Sequence, residues 1–252
     1  MQFWFPALPT WVWGVLILGL LVAIHLYGVE SFGESEYYLS GAKVLAIVVF
    51  LVIGVLLDLG AVGDRPILLE NWKIPGAPIK DGFVGVFQVF STAFFSFGGT
   101  ELIGITAGEA VNPRVNVPKS IKGTFWRILL FYLGSIAVMG LVIRNDDPSL
   151  LDSAHTGDIA VAPFTLVLKR AGMGSAAHIM NGVIFIAILS AGNSAVFAAS
   201  RTLMALSLEG KAPKLFCKLN NRGVPYWSVC ASFVVGCLSF LGIFYGGTKF
   251  LI

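Results

Sequence analysis

Apolar residues gather into six long runs, at about 11–27, 42–61, 83–107, 125–143, 178–208 and 224–245. A helix needs about 17–25 such residues to cross the hydrocarbon layer of a bilayer. The pattern therefore predicts six membrane-spanning helices joined by polar loops. A shorter segment at 162–172 alternates with helical period and predicts an amphipathic helix at the interface or capping the bundle. Trp11 and Trp13 open the first run, and Tyr226 and Trp227 open the last. Such aromatics suit the membrane–water boundary.

One run is interrupted. Inside 83–107 stands Phe94-Phe95-Ser96-Phe97-Gly98-Gly99-Thr100-Glu101. Glycines let a membrane helix open, and opened backbone persists at that depth only where it lines a cavity or is buried in protein. A carboxylate there costs roughly 2.5–3.5 kcal/mol on insertion scales, so Glu101 is expected to face a pathway or a partner. A broken helix beside an acid is a common way to build a mid-membrane binding site.

Composition agrees with a polytopic membrane protein. The 252 residues are 56% hydrophobic and 12% charged, with a mean hydropathy of +0.84. Soluble domains carry about 25% charged residues. A net charge of +3 with no Lys/Arg-rich run offers no nucleic-acid surface. The motifs GxSxG, HExxH, Walker A and GxGxxG are absent, so nothing points to an enzyme. His25, His155 and His178 are scattered and predict no metal site. Cys217, Cys230 and Cys237 form no CxxC pair and read as small core residues. No cofactor is expected. The start lacks the basic region of a cleavable signal peptide, and both ends read as cut from something longer.

Loop charge gives an orientation. Arg114, Lys119, Lys122 and Arg127 follow the third run, and Lys211, Lys214, Lys218 and Arg222 follow the fifth. Between them an acidic loop at 144–158 carries Asp146, Asp147, Asp152 and Asp158 with only Arg144. The positive-inside rule places both basic loops in the cytosol. The loop at 58–81 is then outside and the one at 30–40 inside. Asn112-Pro113 and Val117-Pro118 are expected to stop the third helix and set a turn. Asp58 is expected to be solvated. Lys43, near the start of the second run, is expected to snorkel to the interface. Ser190-Ala191-Gly192-Asn193-Ser194 either bonds neighbouring helices together or serves a site.

Together these segments resemble a fungal amino-acid permease of the amino acid–polyamine–organocation superfamily. Tyr27-Gly28-Val29-Glu30-Ser31-Phe32-Gly33-Glu34-Ser35-Glu36-Tyr37-Tyr38 resembles its YGE-x-E-[FY]-[WY] linker, and Ser40-Gly41-Ala42-Lys43-Val44 its following IKV segment. The stretch from Phe97 to Ala110, with Asn112-Pro113-Arg114 and Val117-Pro118-Lys119, resembles F-x-G-T-E-L-[VI]-G-[IL]-x-A-x-E-x-x-x-P-R-x-x-x-P. Ser190–Ser194 through Ser200-Arg201-Thr202 resembles the SAGNS…SRT helix, and Lys211–Lys214 with Arg222–Pro225 the loop after it.

The resemblance implies an all-α, five-plus-five inverted-repeat transporter of twelve spans, with its broken helix near Gly98-Gly99. This chain would hold spans four to nine. The missing first span would supply the glycine-rich turn for the substrate carboxylate. Carbonyls near Phe95, Ser96, Phe97 and Gly98 would receive the ammonium group. Phe95 would gate the site, and Phe97, Gly98, Gly99 and Thr100 would shape it. Glu101 and Lys43 would serve proton coupling, with Asn193 and Ser194 in support on the eighth span. The implied activity is proton-coupled uptake of cationic or broad-range amino acids at a fungal plasma membrane. The alternative is a non-transporting sensor, a partner of a full permease, or an inactive truncated remnant.

Overall fold

The computed structural model describes residues 4–5, 7–63, 65–74, 82–95, 97–110, 112–148 and 163–240. Among them the long elements are all helices: α1 (Thr10–Tyr27), α2 (Val29–Asp58), α3 (Gly82–Phe95), α4 (Leu102–Thr106), α5 (Pro113–Val142), α6 (Pro163–Arg170), α7 (Ala176–Leu208) and α8 (Tyr226–Cys237). Single 3₁₀ turns lie at Glu70–Trp72, Ala107–Glu109 and Leu238–Phe240. Residues 31–58, 113–142 and 176–208 are each long and apolar enough to cross a bilayer, whereas α1 and α8 are shorter apolar helices. Ser96, Asp152, His155, Asp158, Ala162 and the stretch 241–245 lie outside the described residues.

Two stretches expected to be loops are helix. The stretch at 30–40 forms the first turns of α2, which starts after Gly28. Gly28 has φ 155° and ψ 168°, a region essentially reserved for glycine, so it ends α1 and lets α2 start at once. Lys43 consequently lies near the middle of α2 rather than at its start. The basic stretch after the third run is the beginning of α5. Pro113 occupies the first turn of that helix, where its missing N–H is not needed. Pro118 sits inside α5 instead of ending a helix. Its ring nitrogen cannot donate to the carbonyl four residues back, so α5 continues through it with one hydrogen bond fewer. At 30 residues α5 is about 45 Å long, longer than the ~30 Å hydrocarbon layer, so its charged turns can project beyond it.

The chain forms two compact units, Met1–Ala42 with Phe185–Ile252, and Lys43–Ile184. In the first, Leu21, Val224, Val229 and Phe233 form the core, with Ile17, Leu18, Val22 and Val196 packed on it. In the second, Phe50, Leu57, Val138, Val142, Ile143, Val167, Leu168 and Met180 come together. Most other large apolar side chains point outward. Phe87 is 72% exposed, Phe94 75% and Ile136 62%. In water such surfaces would drive aggregation; in a bilayer they face lipid or other helices. Cys230 and Cys237 are exposed in the same way and Cys217 is half-buried, which corrects the reading of the cysteines as core residues. A thiol at the lipid or helix face of an apolar segment meets no penalty there.

The end of α5 is closed by side chains from elsewhere in its unit. The last carbonyls of a helix have no intrahelical donor. Trp72 Nε1 donates to Gly140 O at 2.8 Å and Asn71 Nδ2 to Leu141 O at 2.6 Å. Arg170, at the end of α6, donates to Val142 O and pairs with Asp147. The amphipathic α6 thus buries Val167 and Leu168 in the core and turns its terminal arginine onto α5.

Candidate functional site

The second unit contains the break expected from the sequence. α3 ends at Phe95 and α4 begins at Leu102. From Phe97 to Glu101 the chain turns rather than spirals. Phe97 N donates to Phe94 O at 3.2 Å, and Leu102 N to Gly99 O at 3.2 Å. Gly99 has φ +95°, a conformation that Ala or any larger residue adopts only with strain. The Phe97 ring stacks on Tyr132 of α5, with centroids 5.9 Å apart and planes 16° from parallel. Gly98, Gly99, Thr100 and Glu101 are exposed.

Glu101 bonds within this turn. Its Oε2 accepts a 2.8 Å hydrogen bond from the Gly99 N–H, and Glu101 O accepts from Gly104 N at 2.9 Å. The carboxylate thus fixes the one residue whose φ makes the turn. Among the described residues, no hydrogen bond takes up the carbonyls of Phe97 and Gly98. Free carbonyls at a helix break carry partial negative charge and suit a cationic group.

Lys43 is half-buried on α2 in the same unit. Asn193 and Ser194 belong to α7 in the other unit. The structure therefore gathers Phe97 to Glu101 into one turn and gives Asn193 a separate setting. Phe95 closes α3 beside that turn.

That separate setting is a buried polar cluster. Asn193 is fully buried, and Ser194 beside it is half-buried. Asn193 Nδ2 donates to Ser35 Oγ at 3.2 Å and to Glu36 Oε2 at 3.3 Å, both on α2. Glu36 Oε1 accepts from Ser40 Oγ at 3.1 Å and from Ser190 Oγ of α7. His25 of α1 donates through Nε2 to the Asn193 carbonyl at 3.1 Å, which requires the Nε2–H tautomer. Next to these bonds Phe32 stacks on Phe197 at 4.1 Å, and the Arg201 guanidinium lies over the Phe197 ring. A carboxylate in an apolar unit is tolerable because several donors meet it.

Sequence reasoning saw Asn193 but missed Glu36 and His25 as its partners. A usable signal was present: Phe32, Ser35, Glu36 and Ser40 recur at helical spacing and share one face of α2. Reading the stretch as a loop hid it.

Asp58, expected to be solvated, has a buried Oδ1 without a partner among the described residues, at the point where Ile67 and Leu68 donate back to its carbonyl. Nearby, an open cleft is lined by Arg65, Glu70, Arg144 and Arg170. Each arginine there has a carboxylate: Glu70 at 3.4 Å from Arg65, Asp146 at 2.8 Å from Arg144, and Asp147 at Arg170. The Asp146 hydrogen bonds push the Arg144 pKa up. These charges brace loops, and their mutual pairing leaves little for a ligand.

The chain matches the family Amino acid permease over residues 1–248. It is 45% identical over 247 residues to the lysine-specific permease LysP of Escherichia coli, covering 98% of this chain and 50% of that protein. It is 40% identical to the histidine permease HisP of Lactococcus lactis, covering 96% of this chain and 51% of that one. With the general amino-acid permease GAP2 of Candida albicans it shares 40% identity, over 95% and 41% of the two chains. The chain spans about half the length of the curated relatives it matches. The relatives are transporters from bacteria as well as fungi, and none of those compared is an enzyme. Broken apolar helix and outward apolar surface accord with the family match over residues 1–248, and the chain belongs to the amino acid permease family.

Proposed function

We propose that the chain is the part of a permease covering spans four to nine, and that the whole protein takes up cationic or broad-range L-amino acids with protons. The observation that carries this reading is the turn between α3 and α4, whose Phe97 and Gly98 carbonyls have no partner among the described residues, beside a carboxylate-anchored Gly99. The substrate ammonium binds those carbonyls, with Phe95, Ser96 and Thr100 around it. Glu101 and Lys43 couple the movement to protons, and Asn193 and Ser194 support the scaffold. The spans that complete a five-plus-five bundle hold the substrate carboxylate.

Relatives named for lysine and histidine support the cationic choice, and those named as general permeases support the broad one. A bacterial relative exceeds the fungal one in identity, so the location proposed is a plasma membrane with no fungal origin attached. The second reading, a remnant or partner that does not transport by itself, is favoured by α3, whose apolar residues Phe83, Phe87, Phe90 and Phe94 are all exposed.

Labelled lysine and leucine uptake in permease-deficient cells decides between them. The chain and a version extended to twelve spans are compared at low and neutral external pH. Uptake by the extended form, stronger at low pH, is the expected result. No uptake by either form at normal surface level refutes transport.

A further inference from the structure

We propose that Glu36 is a positioning residue that pins α7 to α2, one carboxylate facing one amide and so fixing the axial register of the helix that carries Asn193 and Ser194. Both Glu36 oxygens are engaged across the two helices, Oε1 by Ser190 and Oε2 by Asn193, while Ser40 supports Oε1 from one turn along α2. Asn193 is where three helices meet. Its side chain bonds α2, and its backbone carbonyl accepts from His25 of α1.

The chemistry demands an amide at 193. Both side-chain hydrogen bonds of Asn193 to α2 are donated by Nδ2, and its Oδ1 is buried without a partner among the described residues. Flipping the amide would aim a carbonyl at the carboxylate, so its orientation is set by Glu36. Neighbouring contacts do not define register as sharply. Phe32 on Phe197 is a flat stack that tolerates sliding, whereas a carboxylate met by two donors one turn apart on α7 does not. A shift of α7 by one residue, about 1.5 Å, would separate both donors from Glu36.

The test is an exchange of the two groups. Glu36→Gln sets amide against amide, and Asn193→Asp sets carboxylate against carboxylate. The double variant Glu36→Gln/Asn193→Asp restores one of each with the positions reversed. The three variants are compared with wild type in the twelve-span form, measuring surface amount, KM and maximal lysine uptake. Each is also made in the chain itself and melted in detergent.

The expected result is an uptake loss of about tenfold or more in each single variant, with KM little changed because Glu36 does not touch substrate. The double variant should regain at least half of the wild-type rate and melting temperature. A double variant as impaired as the singles, or absent from the membrane, overturns the proposal, as does a wild-type Asn193→Asp. The uptake readout rests on the transport reading above. If the wild-type extended form carries nothing, that reading fails by itself, and restored or unrestored melting in the chain alone decides the pin.

Discussion

Replacing Gly99 by Ala tests whether the break between α3 and α4 is needed for transport. Gly99 has φ +95°, and a Cβ built there meets nothing within 4 Å. The effect is therefore conformational, with no steric clash to confuse it. Holding an L-residue in a left-handed conformation costs about 1–2 kcal/mol. Alanine also favours helix over glycine by about 1 kcal/mol, which promotes a continuous helix through the break. The two terms add in the same direction, to about 2–3 kcal/mol, or roughly a 30–150-fold shift away from the open turn. Lysine uptake by the twelve-span form should fall by at least about tenfold at unchanged surface level. Gly82→Ala is the control. That glycine also has positive φ, at +57°, and open space around it, but it lies at the start of α3, away from the break. It should strain the backbone comparably and leave uptake close to normal. Equal, wild-type uptake by both variants would show that the open turn is not part of the transport path.

Glu101→Gln keeps an acceptor for the Gly99 N–H but removes the charge, whereas Glu101→Ala removes both. Both should abolish most pH-driven uptake in the twelve-span form, and only the Ala variant should also loosen the turn, by about 1 kcal/mol. Normal uptake with a normal pH response in the Gln variant would end the coupling role. Arg170→Ala strands the carbonyl of Val142, a fully buried residue, and should lower stability of the chain in detergent by about 1–3 kcal/mol. Its exposed pairing with Asp147 adds little. An unchanged melting temperature would mean that the α5 end is satisfied in another way.

The helical nature of the chain was legible because long apolar runs leave no alternative in a membrane, where the backbone must satisfy itself. The broken turn was legible for a local reason too: Gly98-Gly99-Thr100-Glu101 combines permissive backbone with an acid in apolar surroundings. Lys43 was misplaced along its helix because charge was used to mark the boundary of a span. Charge marks where a segment leaves the hydrocarbon, but it does not distinguish a loop from further turns of helix. The first turns of α2 and α5 are both such extensions. Glu36 was hidden for a different reason. Its partners Ser190 and Asn193 lie 154 and 157 residues away, and no local spacing reveals a pairing across that distance. A helical reading of 29–41 would have exposed the polar face without naming what it meets.

The Glu36 cluster and the turn after α3 meet the same problem in opposite ways. At Glu36 the donors converge on the carboxylate from two helices, so that place is suited to holding structure rather than receiving a ligand. In the turn after α3 the balance is uneven. The Gly99 N–H is already taken by Glu101, while the Phe97 and Gly98 carbonyls are left over among the described residues. Spent donors and spare acceptors make a site for a group that can only donate, which is what an ammonium is. An anion would find no free N–H at Gly99 and a carboxylate nearby to repel it. In the proposed transport reading the substrate's own carboxylate is met by other backbone, and in a chain about half the length of its relatives that backbone belongs with the spans proposed to complete the bundle. In the transport reading proposed above, the turn is one half of a zwitterion site and takes the amino end.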